Sequence, residues 1–578
     1  MCMEILKRHW IALIFALGIG VVTVSPFVYF QTTAGYQGIS MMGTDAEDHY
    51  LARMQEVYDG YPSQGNVFLP DKTVSPIEPG LGEWLEAQFG KALHLSVSQA
   101  ETAGKFILPF TIALLIYALA YTLSASRAAS ALASIAVMLG DPFVSNPRLL
   151  IELLHSTVPQ TSFLIYARPV SPEMSAIFLF GTLLILARLF FTQITVMSRG
   201  RRVAALVAVA VLTGLSLYVS FYTFAFLGAL ELVMFLSALF RRKYSHALEL
   251  GSAGLGGLIL AIPFVINYLH IAAAPAYASA SERFGFIATR APVFGALVFI
   301  LIAAALFIPN RLQAARTFFL YGAAALILIL NQQLITDHVL QAGHFHWYVT
   351  RPFVCIAGAI LFSALVARFV RHKIISFGLY GLVCGVLIYG AVLVQIGAYR
   401  AVYPVAHAAQ TYASLLASLN ATSSPQVVWA NRDLSSYVSI YTHDDAPNDN
   451  YAEYYLIPEQ YLVTRLFLEY RLRGVTPANV REVMTQDRAD ISARLFGVYW
   501  RDAAGSYAAI PGALLDKYAQ EYKDTYAESI PARLASLDVT TVIWDTKADP
   551  EWNLNATLSM IPKRVGRFEV FQLMNQKP

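Results

Sequence analysis

Between Asp45 and Arg53 the chain reads "DAEDHYLAR", three acids, a histidine and an arginine in nine residues. A carboxylate held there can take the proton of an attacking hydroxyl. An arginine can hold a phosphate through its planar fork of donors. Asp45, His49 and Arg53 are spaced by four, so on a helix they form one ridge. Thr44 and Glu47 make a capping box, which predicts Asp45 as the first helical residue. Tyr50, Leu51, Met54, Val57 and Tyr58 supply an apolar stripe, and Gly60 with Pro62 ends the pattern after Tyr58 or Asp59. The expected element is an amphipathic helix at a membrane interface. Acids are also favoured in any first helical turn by the macrodipole, so Asp45 reads equally as a stabiliser and as a base. Asp48 and Glu47 are the near alternatives.

Further candidates are scattered through later connections. Asp141 opens "DPFVSNPRLL" directly after a short apolar segment, where Asp-Pro is also an ordinary turn opener. Arg168 lies in "YARPVSPEM", Arg283 and Arg290 in "SERFGFIATRAP", and Arg351 in "HFHWYVTRPF" behind His344 and His346. Such arginines suit a phosphate, and singly they also suit snorkelling to lipid headgroups. The His-x-His pair shares a face only on a strand and has no third ligand nearby, so it is weak evidence for a metal.

The elements that must position these residues follow from hydropathy. The chain of 578 residues is 56% hydrophobic and only 14% charged, with a mean hydropathy of +0.51. This places it in a membrane. A net charge of +3 spread over short clusters gives no nucleic-acid surface. Cys2, Cys355 and Cys384 show neither a disulfide framework nor metal spacing. Lys7 and Arg8 precede an apolar stretch with no small-x-small cleavage site, which reads as an uncleaved anchor. Apolar runs predict eleven transmembrane helices near 10–30, 104–123, 128–140, 174–197, 203–219, 222–240, 247–268, 292–308, 317–335, 353–370 and 374–398. Clusters such as Arg199, Arg201 and Arg202 or Arg241, Arg242 and Lys243 then fall on one side. The positive-inside rule makes that side the cytoplasm, with the N-terminus in and the C-terminus out.

The first loop, 31–103, and the tail share the outer face. A second amphipathic helix is expected at "GLGEWLEAQFGKAL", Gly80 to Leu93, in the headgroup zone. Residues 1–399 form the membrane domain, and 400–578 form an extracytoplasmic α/β domain. In the latter "PQVVWANRD", "VTTVIWDTK" and "RFEVFQLM" read as strands, and "EQYLVTRLFLEYRLRG" as a helix ending at Gly474. The aromatic and amide-rich run from Val427 to Tyr455 has the side chains of sugar recognition, though also those of an ordinary globular loop. Glu231 and Arg188 are the notable charges within spans.

An acid just after the first span, then "HYLARM" and "DGYPSQGN", resembles the first extracytoplasmic loop of the GT-C superfamily of integral membrane glycosyltransferases. The likeness is greatest to prokaryotic members of the mannosyltransferase and aminoarabinose-transferase groups. It implies a GT-C-like polytopic fold in a prokaryotic inner membrane. It also implies transfer of a sugar from a polyprenyl-phosphate donor to a glycan, lipid or protein acceptor on the outer face. By the same resemblance Asp45 matches the general base, with Asp48 and Asp141 beside it, and Glu47, His49 and Arg53 share the first-loop helix. Arg168, Arg283, Arg290, Arg351, His344 and His346 are the pool for the donor phosphate. A divalent cation, Mg2+ or Mn2+, held by Asp45 and Asp141 is left open. Membrane lipid is a partner and nucleic acid is not. The competing readings are a transporter or flippase, for which there is no inverted repeat, a non-enzymatic scaffold, and a ligase or polymerase of lipid-linked glycans.

Overall fold

The computed structural model describes residues 2–43, 47–155, 162–192, 197–422, 424–497 and 510–573. Every apolar segment expected to cross the membrane contains a helix. Nine helices among the described residues are long and apolar enough to span a bilayer, including His9–Gln31, Val97–Ser124, Arg127–Ser145 and Glu173–Phe190. The chain is therefore a multi-pass membrane protein. Two expected spans fall outside the nine: Arg199–Ser216, which opens on arginines, and Ala296–Phe307, with 12 residues. Arg168 and Val219, on either side of Glu173–Phe190 and Arg199–Ser216, line one cavity, as do Phe284 and Gln341.

The third helix is longer than expected. It runs through Asp141 and Pro142 to Ser145, so Asp141 lies inside a helix and does not open a loop. Proline removes only its own backbone donor, and one missing bond near the helix end is tolerated. The interior of the bundle is a continuous apolar core built from small and branched residues such as Ala113, Ile116, Leu183, Phe318 and Ile356.

The first loop does not lie flat against lipid. Its helix, Glu47–Tyr58, is buried on nearly all sides between Leu81–Ala92, Val97–Ser124 and the tail helix Arg432–Tyr441. The stripe of Leu51, Met54 and Val57 packs with Ile440, Leu462 and Phe467 in one core. The tail thus covers the apolar face that the sequence assigns to an interface. Gly60, at φ +100°, ends the helix where expected. Leu81–Ala92 keeps Trp84 and Phe89 partly exposed, as a headgroup-facing helix would.

The last long helix, Lys373–Ala409, continues past the expected domain boundary at 399 and hands directly into the tail. Before it, β1 (Phe286–Ala288) and β2 (His338–Leu340) pair antiparallel between two connections of the bundle. The tail itself holds a four-stranded sheet of β3 (Val428–Trp429), β4 (Thr541–Asp545), β5 (Lys563–Val565) and β6 (Phe568–Gln572). The order is β3-β4-β6-β5, with β3 parallel to β4 and the other pairs antiparallel. Alternation divides its cores: Val428, Ile543 and Phe568 face one set of helices, Trp429, Val542 and Phe571 another. Glu459–Leu472 is the expected tail helix, closed by Gly474 at φ +73°.

Candidate functional site

The polar ridge of the first-loop helix is answered from within the same loop. Arg53, 1% exposed, bonds Glu78 Oε2 through Nη1 at 2.9 Å, Glu83 Oε1 through Nε at 2.9 Å, and the Pro79 carbonyl through Nη2 at 2.8 Å. His49 Nε2 meets the same Glu78 oxygen at 2.8 Å. Burial alone would raise the Glu78 carboxyl, but His49, Arg53 and Arg168 beside it outweigh that and hold it at about 2. For Glu83 burial wins over Arg53 and raises it to about 7. Glu86, one turn on, is raised to about 8 by burial.

Glu47 faces the other way. It pairs with the buried Lys105 and accepts from the Gly43 amide at 2.7 Å. Burial opposes ionisation there, but Lys105 and these hydrogen bonds leave it below the usual carboxylate range. Glu47 thus ties the helix to Val97–Ser124. Asp48 accepts from the His49 amide at 3.1 Å, and burial raises it to about 6, near the optimum for a base at neutral pH.

A cavity of about 660 Å³ opens beside this network, where the first loop, four other connections and the tail meet. Asp48, His49, Glu78 and Glu83 form one wall, and Arg168 and His344 contribute from the bundle. Arg168 follows a 3-10 turn, Ile165–Ala167, and precedes Val170, whose φ of +61° is unusual for a β-branched residue. Glu86 Oε1 accepts from the Val170 amide at 3.3 Å and braces that turn. The Arg168 guanidinium sits 5.5 Å over the Tyr50 ring, with Nη2 3.4 Å from its hydroxyl. Its charge also acts on Glu78 and His49. His344 stacks on Tyr222 with ring centroids 4.7 Å apart.

The remaining described candidates sit elsewhere. Asp45 and its expected cap Thr44 lie outside the described residues. Asp141 Oδ2 accepts from Arg351 Nη1 at 3.0 Å, and neither residue lines the cavity. Arg283 is buried and donates to the carbonyls of Glu453 (2.7 Å) and Ile457 (2.6 Å), a clasp between bundle and tail. Burial lowers its guanidinium to about 10. Arg290 is 70% exposed and pairs with Asp337 at 3.0 Å. His346 belongs to a helical segment running into Arg351–Phe369, so the His-x-His pair is not on a strand. Among the described residues no three His, Cys, Asp or Glu side chains are grouped to hold a metal, and Asp141 is engaged by Arg351. Asp141, the described half of the expected cation site, is paired with Arg351, and Asp45 lies outside the described residues.

The sequence missed Glu78 and Glu83, whose one signal is a pair of acids around "EPGLGE" in the same loop as Arg53. It also missed that the tail closes the cavity. Arg432, Asn450, Tyr451 and Tyr454 line it, and the Tyr451 ring lies over His49 with centroids 5.1 Å apart.

No protein-family model matches the chain, and no curated protein matches it. Solved structures do. The archaeal oligosaccharyltransferase AglB from Archaeoglobus fulgidus, in complex with an inhibitory peptide and a dolichol-phosphate, aligns at 12% identity over 99% of this chain and 75% of its own, with a TM-score of 0.43. ArnT from Cupriavidus metallidurans, bound to undecaprenyl phosphate, aligns at 13% identity over 76% of this chain and 85% of its own, with a TM-score of 0.41.

Proposed function

We propose that the protein is a membrane glycosyltransferase that moves a sugar from a polyprenyl-phosphate donor to a hydroxyl or amide acceptor on the outer face of the membrane. One observation supports this above the others. A single cavity at the loop end of an apolar bundle brings a cation, Arg168, together with the proton-accepting groups Asp48 and His49. The donor's phosphodiester is an anion at headgroup depth, and Arg168 would hold it and stabilise the charge that grows as the glycosidic bond breaks. The rigid turn from Ile165 to Val170 keeps that guanidinium in place before the donor binds. The proton of the acceptor passes to a side chain of the first loop. In the simplest assignment this is an aspartate: Asp48 lines the cavity, and Asp45 is the alternative. Tyr451 and Asn450 of the tail form the acceptor side. Their aromatic face and amide fit a sugar ring or a peptide bond.

The test uses purified full-length protein and a panel of sugars linked to undecaprenyl or dolichyl phosphate, followed by release of the lipid phosphate. Turnover of at least one donor is expected. If none is bound or consumed, the reading is wrong.

A further inference from the structure

His49 is hydrogen-bonded on one ring nitrogen and unpartnered on the other, and the residue lines the cavity. Its Nε2 lies 2.8 Å from Glu78 Oε2, and Arg53 holds the same oxygen at 2.9 Å. An ionised carboxylate only accepts, so the imidazole hydrogen must sit on Nε2. Nδ1 then carries the lone pair. It is buried and has no hydrogen-bond partner among the described residues. Burying an acceptor without a donor costs free energy, so such an atom in a cavity wall marks where a bound molecule delivers a donor.

We propose that His49, oriented by Glu78 through Nε2–H, is the general base of this site and takes the acceptor's proton on Nδ1. The proposal rests on the glycosyl-transfer reading and deepens it by moving the proton from an aspartate to the His49–Glu78 pair. Asp48 is the weaker acceptor on geometry, because its Oδ1 turns back onto the His49 amide at the start of the helix. In the step, the acceptor hydroxyl oxygen bonds the anomeric carbon as the bond from that carbon to the phosphate oxygen breaks. The phosphate keeps the electron pair and departs as the lipid monophosphate beside Arg168, and the hydroxyl proton moves to Nδ1. The imidazolium formed is stabilised by the Glu78 carboxylate and later returns its proton to the leaving phosphate or to water.

The surroundings suit a base that stays neutral until it acts. Burial lowers the His49 pKa; Glu78 raises it, and Arg53 and Arg168 lower it further. The other groups close to the ring are Tyr50 from its own helix and Tyr451 and Tyr455 from the tail, all uncharged at ordinary pH. Glu78 acts through His49 and is a positioning residue.

The experiment compares full-length wild type, His49→Gln, Glu78→Gln and Asp48→Asn with a donor that the wild type turns over. It follows kcat/KM against pH and, separately, binding of undecaprenyl phosphate. His49→Gln is expected to lower kcat by about 10²-fold or more, to abolish the acid limb of the profile, and to leave lipid-phosphate binding intact. Glutamine keeps an N–H for Glu78; where it fails to bind the lipid, His49→Asn takes its place. Glu78→Gln is expected to move the acid limb to lower pH, because the charge favouring imidazolium is gone. Asp48→Asn keeps the limb. An acid limb that survives in His49→Gln and vanishes in Asp48→Asn overturns the assignment while sparing glycosyl transfer. Absence of turnover by the wild type removes both.

Discussion

Arg168 and Arg283 are indistinguishable in the sequence: each stands in a short polar connection just ahead of or behind an apolar helix. In the fold they part. Arg168 leans over Tyr50 into the cavity, whereas Arg283 is swallowed by the joint between bundle and tail and spends its donors on backbone carbonyls. The difference lies in what the tail brings to each. The carbonyls of Glu453, Tyr455 and Ile457 accept from Arg283 Nε and Nη2 and make that side chain part of the joint. Arg168 instead lines a cavity whose wall it shares with tail residues such as Tyr451. Guanidinium chemistry is identical at both sites, and the surroundings set the role.

The contrast can be broken or sharpened by substitution. Arg168→Ala should lower sugar transfer by about 10²–10³-fold while the thermal midpoint stays near that of the wild type, since a preorganised charge contributes on that scale. Arg168→Lys should recover only part, because a point charge does not replace a fork. A wild-type rate in Arg168→Ala would make the arginine a headgroup anchor.

Arg283→Met should behave oppositely. It leaves the carbonyls of Glu453 and Ile457 buried without donors, each at roughly 1–3 kcal/mol. Limited proteolysis should then release the tail faster and the melting midpoint should drop, with activity falling only as the folded fraction falls. Unchanged proteolysis would show that the clasp is dispensable.

Asp141→Asn tests the parallel contrast between two acids. Removing one partner from the Asp141–Arg351 pair should cost roughly 1–3 kcal/mol in stability. Binding of undecaprenyl phosphate should be unchanged, because neither residue lines the cavity. Weakened lipid binding at unchanged stability would place the pair in the site.

The last effect is in pH. Glu83 and Glu86 are raised to about 7 and about 8, above the ordinary value of 4.5. A raised carboxyl binds its proton more tightly when folded, so its contribution is fully present below pH 4.5 and is lost as pH climbs through 7 to 8. The thermal midpoint should therefore decline between pH 5 and 9, and Glu86→Gln should flatten that decline. A slope that Glu86→Gln leaves unaltered would mean that other groups set it.

Much of this architecture was legible. Eleven apolar segments, the helix ending at Tyr58, the tail helix ending at Gly474 and the three hydrophobic strands all follow from local periodicity and from residues suited to turns. The third helix was read too short because Asp-Pro looks like an exit, while the fold keeps it helical and pairs Asp141 with an arginine 210 positions away. The first-loop helix was placed in an interface because an apolar stripe beside spans suggests lipid, and nothing local announces that Ile440 and Phe467 cover it.

The sequence by itself determined which segments are helices, which are strands and which residues have the chemistry to move a proton or hold a phosphate, because hydropathy, propensity and side-chain type are properties of a residue and its near neighbours. Only the tertiary structure decided which of those residues share a cavity. Asp48, His49, Arg168 and His344 meet there, and Arg283, Arg290 and the Asp141–Arg351 pair do not. That division depends on how the Lys373–Ala409 helix and the tail return over the first loop, setting Tyr451 on His49 across some four hundred residues of chain. Pairing of charges at such separations depends on packing, which local sequence does not encode.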